Sequence, residues 1–125
     1  MLWEWNVEHL AIFNNYKNML TPELTKRIED LISQYKVMLF MKWTPEDPQC
    51  GFSANAAWIL VESWIYFESF DIYSDEEIRQ WLKEYSSWPT FPQLYIDWEL
   101  IGGVDIMMEM YEEGEFESLK NDKKL

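Results

Sequence analysis

The stretch VMLFMKWTPEDPQCGFS, residues 37–53, decides how the rest of the chain is read. Val37 to Met41 is an unbroken apolar run with Lys36 on one side and Lys42 on the other. It is too short for a helix that stands alone, so it predicts a strand buried on both faces, central in a sheet. The prolines and acids of residues 43–49 predict a polar loop. A helix is expected to start near Gly51, with Phe52, Ala56, Ile59 and Leu60 on one face, and to end near Ser63. Between strand and helix lies Cys50, the only cysteine of the chain.

Upstream, TPEL at residues 21–24 is a helix start, with Thr21 as cap and Pro22 at the first helical position. Leu24, Ile28, Leu31, Ile32 and Tyr35 follow one face, predicting a helix over about Thr21 to Gln34. Residues 1–20 show only loose helical spacing and are expected to form an extension or linker. The main domain is then residues 21–119, and residues 120–125, KNDKKL, form a polar tail. Downstream, the alternation of YFESFDI, residues 66–72, predicts a second strand. Ser74 with Glu77 three residues later is a capping-box pattern before a helix whose apolar face is Ile78, Trp81, Leu82 and Tyr85. WPTFPQLYI (88–96) and ELIGG (99–103) read as strands joined through Asp97 and Trp98, a connection short enough to demand an antiparallel hairpin. Val104, Met107, Met108 and Tyr111 mark a last helix stopped by Gly114. Strands separated by helices pair in parallel through right-handed crossovers, so the expected fold is α/β with a four-stranded mixed sheet flanked by helices.

Charge and cysteine count narrow the function. Ten lysines and arginines stand against 23 acids, a formal charge of −13. Nucleic acid is not an expected partner, because a phosphate backbone is held by basic side chains that displace its counterions, and an anionic membrane surface is disfavoured for the same reason. No apolar run approaches a membrane span, and Glu4 and Glu8 precede the first lysine, unlike a signal or transit peptide. A single cysteine excludes an internal disulfide framework, which suits a reducing compartment. The expected location is cytoplasmic, or a mitochondrial or other organelle matrix after processing.

Cys50 sits at a predicted helix start, where backbone N–H groups lack partners and the macrodipole is positive, so the thiolate is favoured over the thiol. A lone cysteine is also commonly a small buried hydrophobe. Its place after a polar loop at the C-terminal edge of a central strand, where open α/β sheets hold ligands, favours the reactive reading. Ser53 stands where a dithiol redox enzyme would carry its second cysteine, and a hydroxyl cannot resolve a disulfide.

KWTPEDPQCGFS (42–53), WPTFPQLY (88–95) and ELIGGVDI (99–106), in that order, resemble the monothiol glutaredoxins of the CGFS type, an iron–sulfur-associated branch of the thioredoxin-like fold. The likeness covers about residues 21–119, and three ordered motifs are far more specific than one tetrapeptide. The resemblance implies glutathione as cofactor and a [2Fe–2S] cluster held between two chains. Such a cluster takes four thiolates and one chain supplies one, so two copies of Cys50 and two glutathione thiols complete the set. The implied function is cluster binding and transfer, with a cluster-bridged homodimer and with a BolA-like protein and iron–sulfur acceptor proteins as partners. Two alternatives stand beside it: a monothiol oxidoreductase acting on glutathionylated proteins, a reaction at which this branch is weak, and an interaction module with an impaired cofactor site.

The resemblance also implies roles for single residues. Lys42 matches a lysine that pairs with a glutathione carboxylate, although a lone lysine is as readily a solvated side chain. Phe52, inside the CGFS motif, belongs to the cofactor-binding set. Arg79 matches an arginine that reaches the glycyl carboxylate, with Lys83 a weaker candidate, and it is equally a surface arginine of an exposed helix face. Pro92 matches a cis-proline that exposes the backbone of Phe91 to the tripeptide, and Thr90 lines the same groove. Gly103, the Val104 backbone and the Asp105 carboxylate would hold the γ-glutamyl end, while the same residues also make an ordinary turn and helix start. Trp88 fits the pattern or packs at the rim. His9 lies outside the likeness, and a lone histidine is no metal site.

Trp43, Trp64, Trp81 and Trp98 stand where members of that family commonly carry glycine, and Ala54 stands where they carry a basic residue. Trp64 is expected at a left-handed helix end and Trp98 in an Asp-Gly-type turn, where a side chain costs about 1–2 kcal/mol. Trp43 is placed to narrow the groove or shield the cluster. Four identical replacements at unrelated positions suggest one cause, such as codon assignment in the source or deliberate engineering.

Overall fold

A computed structural model of the chain describes residues 20–47 and 50–125. The expected N-terminal extension, except Leu20, lies outside the described residues, as do His9, Pro48 and Gln49. Helix α1 (Pro22–Ser33) starts as expected: Thr21 Oγ1 accepts the Leu24 N–H at 3.2 Å and Pro22 opens the first turn. Its buried stripe is Leu24, Ile28 and Ile32. Tyr35 does not continue that stripe. The helix has ended by then, and the ring is 42% exposed.

Strand β1 (Val37–Met41) is buried along its whole length, and helix α2 (Gly51–Glu62) follows after the loop. The second strand is shorter than YFESFDI suggested. β2 is Glu68–Asp71, and Ile72–Ser74 close into a 3₁₀ turn instead. That turn moves the next helix cap by one residue. Ser74 belongs to the turn, its Oγ donating to the Asp71 carbonyl, so Asp75 caps α3 (Glu76–Ser86) by accepting the Ile78 N–H at 3.1 Å. The capping-box reading of Ser74 and Glu77 is corrected accordingly. Asp75 also pairs with Arg27, tying α1 to α3.

Strand β3 begins only at Gln93 (Gln93–Ile96), because the segment with Pro89 and Pro92 forms a loop. β4 (Glu99–Gly102) returns through Asp97 and Trp98, both with positive φ, the two-residue turn that follows strand twist. Helix α4 (Val104–Glu112) ends before Gly114. Beyond it the chain forms α5 (Glu115–Lys123), an element the sequence reading did not contain. The expected polar tail is thus helical through Lys123.

The sheet runs β2-β1-β3-β4, with β1 parallel to β2 and antiparallel to β3, and with β3 antiparallel to β4. Alternation along the central strands splits the core into two layers. Val37, Leu39, Met41, Leu94 and Ile96 face Ile59, Leu60, Met107 and Phe116 of α2, α4 and α5. Met38, Phe40 and Tyr95 face Leu24, Ile28, Ile32, Ile78 and Leu82 of α1 and α3. The expected α/β architecture, a mixed four-stranded sheet flanked by helices, is the observed one. It leaves the C-terminal edge of β1, the β3 entry loop and the start of α4 to form one surface.

Candidate functional site

Cys50 is the residue just before α2, in extended backbone (φ −111, ψ 123) and half-buried. Burial pushes its thiol up, but the N–H groups of Ser53 and Phe52, the Ser53 hydroxyl and the Lys42 charge outweigh it, so the net shift is downward from the usual 9.0. The side chain closes no capping hydrogen bond. What it gains from these donors, it gains as thiolate. Ser53 is fully buried, and its Oγ accepts the Lys42 N–H at 3.0 Å. With that lone pair engaged, its own hydrogen is free for the sulfur. The position where a second cysteine would stand therefore serves the first one.

Beside this loop lies a groove of about 800 Å³. Of the residues singled out in the sequence, Lys42, Phe52, Arg79, Thr90, Phe91, Pro92, Gly103, Val104 and Asp105 all line it. So do Lys83 and Trp88. Cys50 is not in the lining. It is joined to it through Phe52 on α2 and through the charge of Lys42. The Phe91–Pro92 peptide bond is cis. Gly102 has φ +143, and a β-carbon there would come within 2.6 Å of Ile106 Cδ1, so the turn into α4 requires glycine. Gly103 faces Trp88: a β-carbon would meet its Nε1 at 3.4 Å. Asp105 lies in the first turn of α4, where its charge complements the helix dipole.

The groove is electrostatically unlike the rest of the chain. Lys42, Arg79 and Lys83 line it with Asp105 as the one acid, whereas the whole sequence has ten basic residues against 23 acidic ones. An anionic ligand with one cationic end suits that distribution. Among the described residues no group of three or more His, Cys, Asp or Glu side chains gathers to hold a metal, and Cys50 is the only thiol the sequence carries.

The glutaredoxin family model matches residues 37–101, from β1 into β4. The chain belongs to the glutaredoxin family. Several of its relatives are named as monothiol glutaredoxins: it is 50% identical over 100 residues to an uncharacterized monothiol glutaredoxin ycf64-like protein of Synechocystis, covering 80% of this chain and 94% of that one. It is 51% identical over 100 residues to human glutaredoxin-3, covering 80% of this chain but 30% of that protein. It thus spans nearly all of the cyanobacterial relative and under a third of the human one. Among solved glutaredoxin structures, reduced apo GrxS14 of poplar superposes with a TM-score of 0.71 at 48% identity, covering 85% of this chain and 98% of that one. A monomeric truncated 1-C-Grx1 of Trypanosoma brucei gives 0.72 at 37% identity, covering 79% and 90%. The fold is thioredoxin-like.

Two parts of this glutaredoxin surface escaped the sequence reading. Gln93 is fully buried, and its amide donates to the Trp88 carbonyl at 3.0 Å and the Thr90 carbonyl at 3.3 Å, while its Oε1 accepts the Tyr95 hydroxyl at 2.9 Å. It holds the loop that carries Trp88, Pro89 and Thr90 into the groove. The signal was a polar residue opening a buried strand. Tyr73 also lines the groove, on the 3₁₀ turn Ile72–Ser74, where the expected strand ended at Ile72 and the expected cap was Ser74. Trp43 has φ 65, and its ring packs on Tyr73 with centroids 4.9 Å apart. It does not line the groove, so its expected narrowing of that space is corrected.

Proposed function

We propose that this glutaredoxin is a glutathione-dependent carrier of [2Fe–2S] clusters. The observation that carries the reading is a single thiolate-favouring Cys50 next to a groove whose charges match the tripeptide. Glutathione has two carboxylates and one ammonium. Lys42 and Arg79 suit the carboxylates, and Asp105 with the N–H groups at the start of α4 suits the zwitterionic γ-glutamyl end. A bound glutathione would bring its own thiol beside Cys50, giving two sulfurs per chain. A cluster needs four, so it forms where two copies meet. The cluster is cargo, passed to a BolA-like protein or to iron–sulfur acceptor proteins, and exchangeable glutathione ligands favour its release.

Anaerobic reconstitution with iron, sulfide and glutathione tests this. The expected result is visible absorption with a shift from monomer to dimer, both absent in Cys50→Ala and both dependent on glutathione. Colour that forms equally well without glutathione would break the mechanism.

The lowered Cys50 thiol favours a second reading, glutathione-dependent reduction of glutathionylated proteins. The Cys50 thiolate attacks the glutathione sulfur of the mixed disulfide and expels the protein thiolate. A second glutathione thiolate then attacks the Cys50 mixed disulfide, releasing glutathione disulfide and restoring Cys50. Turnover of a glutathionylated peptide without cluster formation would promote this reading over the first.

A further inference from the structure

We propose that Tyr73 is a positioning residue for Arg79, an inference that rests on the glutathione reading above. The Arg79 guanidinium carbon lies 5.4 Å from the centroid of the Tyr73 ring. Its other neighbour is Glu76, one turn back, at 3.9 Å and with an 85% exposed side chain. An exposed pair at that distance holds little, and it would draw the guanidinium along the outside of α3. The Tyr73 ring face offers the competing attraction, and both residues line the groove. Tyr73 is itself held: its N–H donates to Asp71 Oδ1 at 2.9 Å, and its predecessor Ile72 is anchored in the core. The fold thus uses a fixed aromatic face to keep a flexible arginine aimed at an anionic ligand.

The test compares wild type, Tyr73→Leu and Tyr73→Phe by calorimetric binding of glutathione and of its glycine ethyl ester, which lacks the glycyl charge. Tyr73→Leu should weaken glutathione about two- to fivefold, the range of an exposed cation–π contact. Tyr73→Phe should restore wild-type affinity, and the ester should bind all three chains alike. Equal affinity of Tyr73→Leu and wild type for glutathione overturns the proposal, as does equal weakening of the ester. Failure of the wild-type chain to bind glutathione is a separate result, which overturns the glutathione reading and this role with it.

Independently, the backbone carries a second proposal: we infer that positions 43, 64 and 98 are glycine in the chain its natural source makes, through a codon read there as glycine. Among the described residues six non-glycine ones have positive φ, and three of them are Trp43 (φ 65), Trp64 (φ 57) and Trp98 (φ 72). Bulky side chains are outliers in that region. Trp64 occupies the residue after the α2 cap, its N–H bonded to Val61 O at 3.0 Å and the Ile65 N–H to Leu60 O at 3.1 Å, a helix ending that favours glycine. Trp98 is the second residue of the Asp97–Trp98 hairpin turn, the place of glycine in an Asp-Gly pair. Their side chains recover little by packing, being 82% and 68% exposed. Peptide mass mapping of the protein isolated from its source should give glycine at all three positions. Tryptophan at any one of them overturns the inference.

Discussion

Ser53 Oγ accepts the Lys42 N–H at 3.0 Å, joining the end of β1 to the first turn of α2 around the one thiol. In Ser53→Ala the partly buried Lys42 N–H loses its partner and the Cys50 thiolate loses a donor. Folded stability should fall by about 1–3 kcal/mol by denaturant titration. The pH midpoint of Cys50 alkylation should move up. An unchanged midpoint would mean that Ser53 only closes the loop.

Cys50 itself makes stability depend on pH. Its folded pKa lies below the usual 9.0, so the folded state releases the proton more readily than the unfolded one. The resulting stabilisation is complete above the unfolded value and is lost as pH falls through the folded one. The stability difference between wild type and Cys50→Ser should therefore grow as pH rises towards 9.0 and level off above it. A difference that shrinks over that range would reverse the sign of the shift.

Tyr95 should behave in the opposite sense at high pH. Burial, with a smaller contribution from Tyr85 and against the Ser86 hydroxyl, pushes its phenol up from 10.0 to about 12. Its stabilisation is intact below the unfolded value and is lost as pH rises through the folded one, so wild type should lose stability between pH 10 and about 12 relative to Tyr95→Phe. At neutral pH Tyr95→Phe should cost about 1–3 kcal/mol, because the buried Gln93 Oε1 loses its donor. Parallel alkaline profiles for the two chains would contradict this account.

Trp64→Gly and Trp98→Gly should each stabilise the recombinant tryptophan-bearing chain by about 1–2 kcal/mol, by relieving a β-carbon in left-handed backbone. Trp81→Gly should do the reverse. Trp81 is in the interior of α3 and packs against the α1–α3 core, so the change removes contacts and adds helix entropy cost. Thermal melts of the three variants separate strain relief from a general benefit of losing indole.

Phe116→Ala should destabilise by about 3–5 kcal/mol, the cost of emptying a large aromatic site. Phe116 is 1% exposed and fixes α5 to the layer containing Leu94 and Met107. A cost below about 1 kcal/mol would show that α5 is not part of the folded unit.

The sequence by itself determined the central strand, the helix behind Cys50, the hairpin and the α4 stop, because each rests on a local pattern: an apolar run, a spacing, a two-residue turn or a glycine. Only the tertiary structure decided the rest. α5 was illegible because one buried phenylalanine in a polar segment gives no periodicity until Met107 and Leu94 stand opposite it. The cap shifted from Ser74 to Asp75 because a 3₁₀ turn, set by burial of Ile72, used Ser74 first. Gln93, Tyr73 and the buried Ser53 hydroxyl meet partners nearby in sequence, but across loops and turns that follow no helix or strand period, so spacing carries no information and only the packed fold brings the groups together.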